Sequence, residues 1–120
     1  MKYLCLLAGE PGSGPAPGTA EFQQMLADFG EATSAMAAAG VLVDSGPLQP
    51  PETATTVQVR EGETLLMDGP FAEIKEHLGG FVLIEARDME EATAIAATFP
   101  VARYGMIEVR AAFDIRFPNE

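Results

Sequence analysis

The chain has 120 residues, 48% of them hydrophobic, with 7 basic and 18 acidic side chains and a formal charge of -11. That length suits one domain, taken as residues 1–120, able to bury about two-thirds of its extended surface without disulfides or metal. The composition is too apolar for a disordered acidic tail, and the acidic balance argues against nucleic-acid backbones and anionic membranes as partners.

Residues 2–8 read as a strand that can be buried on both faces. Cys5, the single cysteine, lies within it as a structural thiol; one cysteine rules out an internal disulfide and fits a reducing compartment. Met1-Lys2-Tyr3 runs straight into this strand, leaving no room for a signal peptide, and no stretch is long enough to span a membrane, so a cytoplasmic location is expected. Residues 9–18 carry three prolines among their glycines and read as a surface loop; the spacing is not that of a phosphate loop.

Thr19 is placed to cap a helix whose apolar stripe runs from Phe22 through Met25, Leu26, Phe29 and Ala32 to Met36 and Ala37. Gly40 ends it, and Val41-Leu42-Val43 begins a strand broken by Gly46-Pro47. After Pro50-Pro51, residues 55–60 alternate in character and turn at Glu61-Gly62-Glu63 into 64–67, a hairpin. Asp68-Gly69-Pro70 closes it. Residues 71–78 favour a short helix stopped by Gly79-Gly80, and residues 81–86 form the strongest central strand. Asp88 and Glu91 have the spacing of an acidic capping box for a helix whose buried face carries Met89, Ala92, Ile95, Ala96 and Phe99 before Pro100. Residues 106–110 form the last strand, with Ile107 and Val109 on one face and Glu108 and Arg110 on the other.

Setting the hairpin aside, the order is β-α-β-β-α-β: an α+β, ferredoxin-like split βαβ with helices on one face of an antiparallel sheet. Nothing in the chain covers the other face, which leads to a homodimer closing a shared cavity.

From Met1-Lys2-Tyr3 through Gly40-Val41-Leu42, Leu48-Gln49-Pro50-Pro51, Thr55-Thr56-Val57, Asp68-Gly69-Pro70-Phe71, Glu73-Ile74-Lys75-Glu76, Gly79-Gly80-Phe81 and Glu108-Val109-Arg110, the chain resembles the YCII-related family in its DGPF-containing branch. The resemblance covers nearly all of residues 1–112. It implies a dimeric ferredoxin-like α+β barrel; activities are mostly unassigned, and some relatives accompany extracytoplasmic-function sigma factors. A histidine–aspartate pair of the family's better-known branch lies in the first half of the domain. This chain's only histidine is His77, so that pair has no counterpart here.

The candidate chemistry sits around the Asp68 turn. Asp68 can bond its downstream backbone, Gly69 can take a positive φ, and Pro70 can open a helix, so a structural corner and a ligand-facing carboxylate are both open readings. On the expected helix, Glu73 and His77 would share a face four residues apart, giving an acid/base pair or a solvated charged surface. Lys75 is a candidate anion contact. Arg103, Tyr104 and Arg110 could frame a pocket mouth for a carboxylate, or form local ion pairs. Catalytic candidates are therefore Asp68, Glu73 and His77; ligand-binding candidates are Asp68, Lys75, Arg103, Tyr104 and Arg110. One histidine and one cysteine far apart offer no zinc spacing, and neither metal nor cofactor, haem included, is expected.

Three functions are consistent with these residues. The first is binding or sensing of a small polar or anionic metabolite. The second is a cofactor-independent lyase, isomerase or hydrolase working by carboxylate/histidine proton transfer. The third is an interaction module linked to transcriptional regulation.

Overall fold

The computed structural model describes residues 1–72, 75–115 and 118. Strand β1 (Lys2–Gly9) leads to helix α1 (Ala20–Ala38) and strand β2 (Leu42–Pro47); a 3₁₀ turn (Pro51–Thr53) follows. The hairpin β3 (Thr55–Arg60) and β4 (Glu63–Asp68) precedes β5 (His77–Glu85), α2 (Met89–Ala96), α3 (Val101–Tyr104) and β6 (Met106–Ala111). Four strands make one sheet in the order β2-β5-β1-β6, every neighbour antiparallel. Each helical crossover therefore skips one strand, which is the split βαβ arrangement of a ferredoxin-like fold.

The helix ends follow local chemistry. Thr19 Oγ1 accepts the Phe22 N–H at 3.1 Å and donates to the Ala16 carbonyl at 2.7 Å, fixing the start of α1. At its far end Gly40 takes φ +74°, so that its N–H reaches the Ala37 carbonyl and the Val41 N–H reaches that of Met36, a Schellman closure. Asp88 Oδ1 accepts the Glu91 N–H at 2.9 Å, and Glu91 Oε1 accepts the Arg87 N–H at 3.0 Å, so the acidic capping box forms with its return bond one residue early.

One face of the sheet is covered by helices. Tyr3, Cys5 and Leu7 of β1 and Val82 and Ile84 of β5 point into a core completed by Met36, Ala86, Ala92, Ala96 and Phe99. Phe29 of α1 meets the Phe99 ring at 5.4 Å in a tilted pair, joining α1 to the segment after α2. The opposite face carries Leu4, Leu6, Phe81 and Leu83, which are paired across β1 and β5 and only half-buried.

Three expectations need revision. His77 and Leu78 already belong to β5, and Phe71, Ala72, Lys75 and Glu76 lie in bends, so no helix spans 71–78 among the described residues; Glu73 and Ile74 lie outside them. Gly79-Gly80 does not stop a helix but continues a strand. The β1–β5 register steps over Gly79 between Leu7 and Ala8, a bulge, and at Gly80 a Cβ would stand 3.0 Å from the Gly46 carbonyl oxygen. Gly46-Pro47 does not break β2 either: β2 is an edge strand, where a missing N–H is tolerated. The helix expected up to Phe99 ends at Ala96, and a short α3 not expected from the sequence follows Pro100.

The hairpin stands apart. Among the described residues, β3 and β4 pair only with each other. Partly because of this arm, the chain's accessible surface is 8621 Å², against roughly 6,200 Å² expected for a compact chain of this mass. Its radius of gyration is likewise 16.6 Å, against roughly 13.6 Å expected.

Candidate functional site

Where α1 crosses the end of the sheet that β1 leaves and β5 starts, a cavity of about 420 Å³ opens. The helix supplies Met25, Leu26 and Phe29; β1 supplies Leu7, Ala8 and Gly9; β2 ends there with Gly46 and Pro47. His77, Gly79, Gly80 and Phe81 of β5 and Pro100 and Val101 at the start of α3 complete the wall. The origin of the void is local. Gly9, Gly79 and Gly80 have no side chain to fill this space, whereas a Cβ at Gly46 would stand 3.1 Å from the Phe81 ring on the other side of the sheet.

Polar groups gather at one end. His77 is half-buried, faces Gly9 in the β1–β5 register and lines the cavity together with Glu10. Lys75 Nζ lies 3.2 Å from Glu10 Oε1, an ion pair at the rim whose lysine is 77% exposed; such a pair contributes less than about 1 kcal/mol to stability. It leaves Lys75 free to exchange its glutamate for an incoming anion at small cost. In its neutral form the imidazole of His77 offers one donor and one acceptor to a ligand.

The other sequence-chosen residues are dispersed. Asp68 is exposed at the end of β4, opposite Thr55, and does not line the cavity. Its turn closes the base of the hairpin: Gly69 has φ +95°, its N–H donates to the Ala54 carbonyl at 2.7 Å, and its carbonyl accepts from Thr56 Oγ1 at 2.8 Å. These bonds run through Gly69 and leave Asp68 exposed. Arg103 of α3 pairs with Asp28 of α1 at 3.4 Å and lies 5.8 Å from the Tyr104 ring centroid. Tyr104 is half-buried beside Gly14, so these two residues tie α3 to α1 and the first loop. Arg110 pairs with Glu108 on β6 and faces Leu4 in the register, on the sheet face opposite the cavity. Glu73 lies outside the described residues. His77 thus lines the cavity and Lys75 reaches its rim through Glu10; Asp68, Arg103, Tyr104 and Arg110 do not line it.

Sequence reading assigned Met25, Leu26 and Phe29 to the core stripe and missed their part in the cavity. The available signal was the glycine content of the facing strand ends, at Gly9 and Gly79-Gly80. Among the described residues no three His, Cys, Asp or Glu side chains converge as metal ligands do. The lone cysteine is remote from any such role: burial pushes the Cys5 thiol above its ordinary range.

The profile of the YCII-related domain matches residues 1–116. The chain belongs to that family. An uncharacterized protein of Rhizobium meliloti (strain 1021) is 34% identical over 112 residues, covering 92% of this chain and 90% of its own. YCII membership agrees with the split βαβ sheet, whose helix-covered side holds the cavity. No helix among the described residues is long and apolar enough to cross a membrane.

Proposed function

We propose that this YCII-related protein, of the DGPF-containing branch, is a cytoplasmic binding or sensing protein for a small metabolite. Its ligand has an apolar body that fits beneath α1 and one polar or anionic end that meets His77 and Lys75. The observation that carries this reading is the glycine-lined cavity, apolar along most of its wall and polar at one end. Its volume of about 420 Å³ lies within the usual range for small-molecule sites. The binding end follows Lys75 and His77 rather than Arg103, Tyr104 and Arg110, which are engaged elsewhere. The test is native mass spectrometry of the protein purified gently from its own source, followed by a metabolite screen on wild type and Leu26→Trp. Leu26 borders the cavity and is 47% exposed, so an indole there fills the space without disturbing the buried core. Saturable binding abolished by Leu26→Trp is the expected result; binding that survives it refutes this cavity as the site.

A second reading, proton-transfer catalysis, is favoured by one observation: His77 and Glu10 wall the same cavity. It places the base at His77, with Lys75 beside it to hold developing negative charge. Turnover that disappears in His77→Gln while binding persists would distinguish it from simple binding.

We also propose that the protein is a homodimer closed through the open sheet face. Half-buried Leu4, Leu6, Phe81 and Leu83 support this, as does the accessible surface, larger than a compact chain of this size exposes.

A further inference from the structure

The hairpin arm carries the largest run of unpartnered apolar side chains in the fold. In the β3–β4 register Val57 lies opposite Leu66 and Val59 opposite Thr64, so Val57, Val59 and Leu66 share one face. They are 59%, 58% and 66% exposed. Leu65 and Met67 are exposed on the other face. Charges are confined to the ends of the hairpin: Arg60, Glu61 and Glu63 at the tip and Asp68 at the base, leaving 56–59 and 64–67 uncharged in a chain of net charge -11. A two-stranded hairpin is marginally stable by itself in water, and an apolar one with two free edges is a liability unless covered.

We infer that the arm is a clasp that docks, through Val57, Val59 and Leu66, onto a second copy of this chain. The inference rests on the homodimer reading for its occupant and extends the contact from the open sheet face itself to the arm. Two observations favour a second copy over a different partner. An acidic chain attracts a basic partner through charged patches, whereas this surface is neutral and matches another neutral apolar surface, which the same chain presents at Leu4, Leu6, Phe81 and Leu83. The areas also agree. Covering the arm's apolar side chains and Phe71, which is 90% exposed, removes on the order of 500 Å² per chain from water. Two arms and the surfaces beneath them then reach the roughly 1,600 Å² of a standard stable interface. The chain exposes 8621 Å², roughly 2,400 Å² beyond a compact chain's expectation, so surface of that extent is there to be covered. The Asp68-Gly69-Pro70-Phe71 turn acquires a role here: it locks the two strands together at the base of the arm, through the Gly69–Ala54 and Thr56–Gly69 bonds.

The test uses the full chain and a triple variant, Val57→Thr, Val59→Thr and Leu66→Thr. Threonine keeps strand propensity, so the hairpin survives while its apolar face is lost. Sedimentation equilibrium of wild type and variant gives the dimer constant, and hydrogen exchange reports on residues 55–68. The expected result is a dimer weakened at least about tenfold, with arm amides in wild type protected more as concentration rises. A wild-type dimer that the variant leaves unchanged overturns the clasp while leaving the sheet-face dimer standing. Arm protection independent of concentration overturns it in favour of an arm folded onto its own chain. A wild-type monomer with freely exchanging arm amides overturns clasp and homodimer together, leaving the arm to a different protein.

Discussion

Two glycine-to-alanine changes should move stability in opposite directions. Gly105 links α3 to β6, and a Cβ built there collides with the Ala8 carbonyl oxygen and stands 2.9 Å from Gly9 Cα. Both obstacles are β1 backbone, so no rotamer relieves them. The start of β6 must draw away from β1 at the Ala8–Met106 pair. Overpacking of this kind costs about 1–3 kcal/mol, and a weakened ladder bond adds about 1 kcal/mol, so about 3 kcal/mol is expected. Gly30 lies within α1 with nothing within 4 Å of its notional Cβ. Alanine there gains roughly 0.5–1 kcal/mol from helix propensity and reduced unfolded-state freedom. For a chain of this length, about 1 kcal/mol corresponds to roughly 4 °C. Gly105→Ala should therefore melt about 12 °C lower than wild type and Gly30→Ala about 2–4 °C higher. Calorimetry at one fixed protein concentration separates them, since any dimerisation makes Tm concentration-dependent. A Gly105→Ala midpoint within about 2 °C of wild type would refute the close approach of β6 to β1.

Three further outcomes follow from individual side chains. Phe99 is 1% exposed and stacks on Phe29, so Phe99→Ala should cost about 3–5 kcal/mol in urea unfolding, a large share of a typical domain's stability. Under the binding reading, His77→Gln keeps a donor and an acceptor at the polar end of the cavity and should change ligand affinity by less than about tenfold in calorimetric titration; loss of all binding would contradict it. Burial raises the Cys5 pKa above 9.0. The folded state then holds its thiol proton more tightly than the unfolded state, so this contribution to stability is complete below that value and declines as pH rises above it. Iodoacetamide should label Cys5 only as the chain unfolds, which mass spectrometry across a urea series can check.

The strand and helix framework was legible because each signal was local. Thr19, Gly40 and Asp88 cap helices through bonds spanning a few residues, and the alternation of Ile107 and Val109 with Glu108 and Arg110 already separated the two faces of β6. The segment at 71–78 was misread because its Ala, Glu, Lys and Leu favour a helix by propensity. At its end, pairing with β1 and the close approach of β2 at Gly80 draw His77 and Leu78 into a strand. The cavity was not legible for a different reason. It is a space bordered by glycines 9, 79 and 80, which lie on two strands and meet only through sheet register. The scattering of Arg103 and Tyr104 has a related cause: proximity along the chain to the last strand does not say which element a side chain packs against.

The distribution of the Asp68 turn and His77 bears on why one short stretch carries so many of the family-like residues. The turn closes the base of an arm that leaves the body, and only nine positions later His77 enters the cavity wall as the first residue of β5. Between them, Lys75 pairs with Glu10, which also lines the cavity. Docking of the arm and occupation of the cavity therefore act on the two ends of a single connection. If docking at the Asp68 turn and ligand binding at His77 favour the same arrangement of the chain, linkage requires the two affinities to rise together. A ligand that binds the cavity should then tighten the dimer by the same factor by which dimerisation tightens the ligand. Equal ligand affinity for wild type and the threonine arm variant, under conditions where one is a dimer and the other a monomer, would show that the connection transmits nothing.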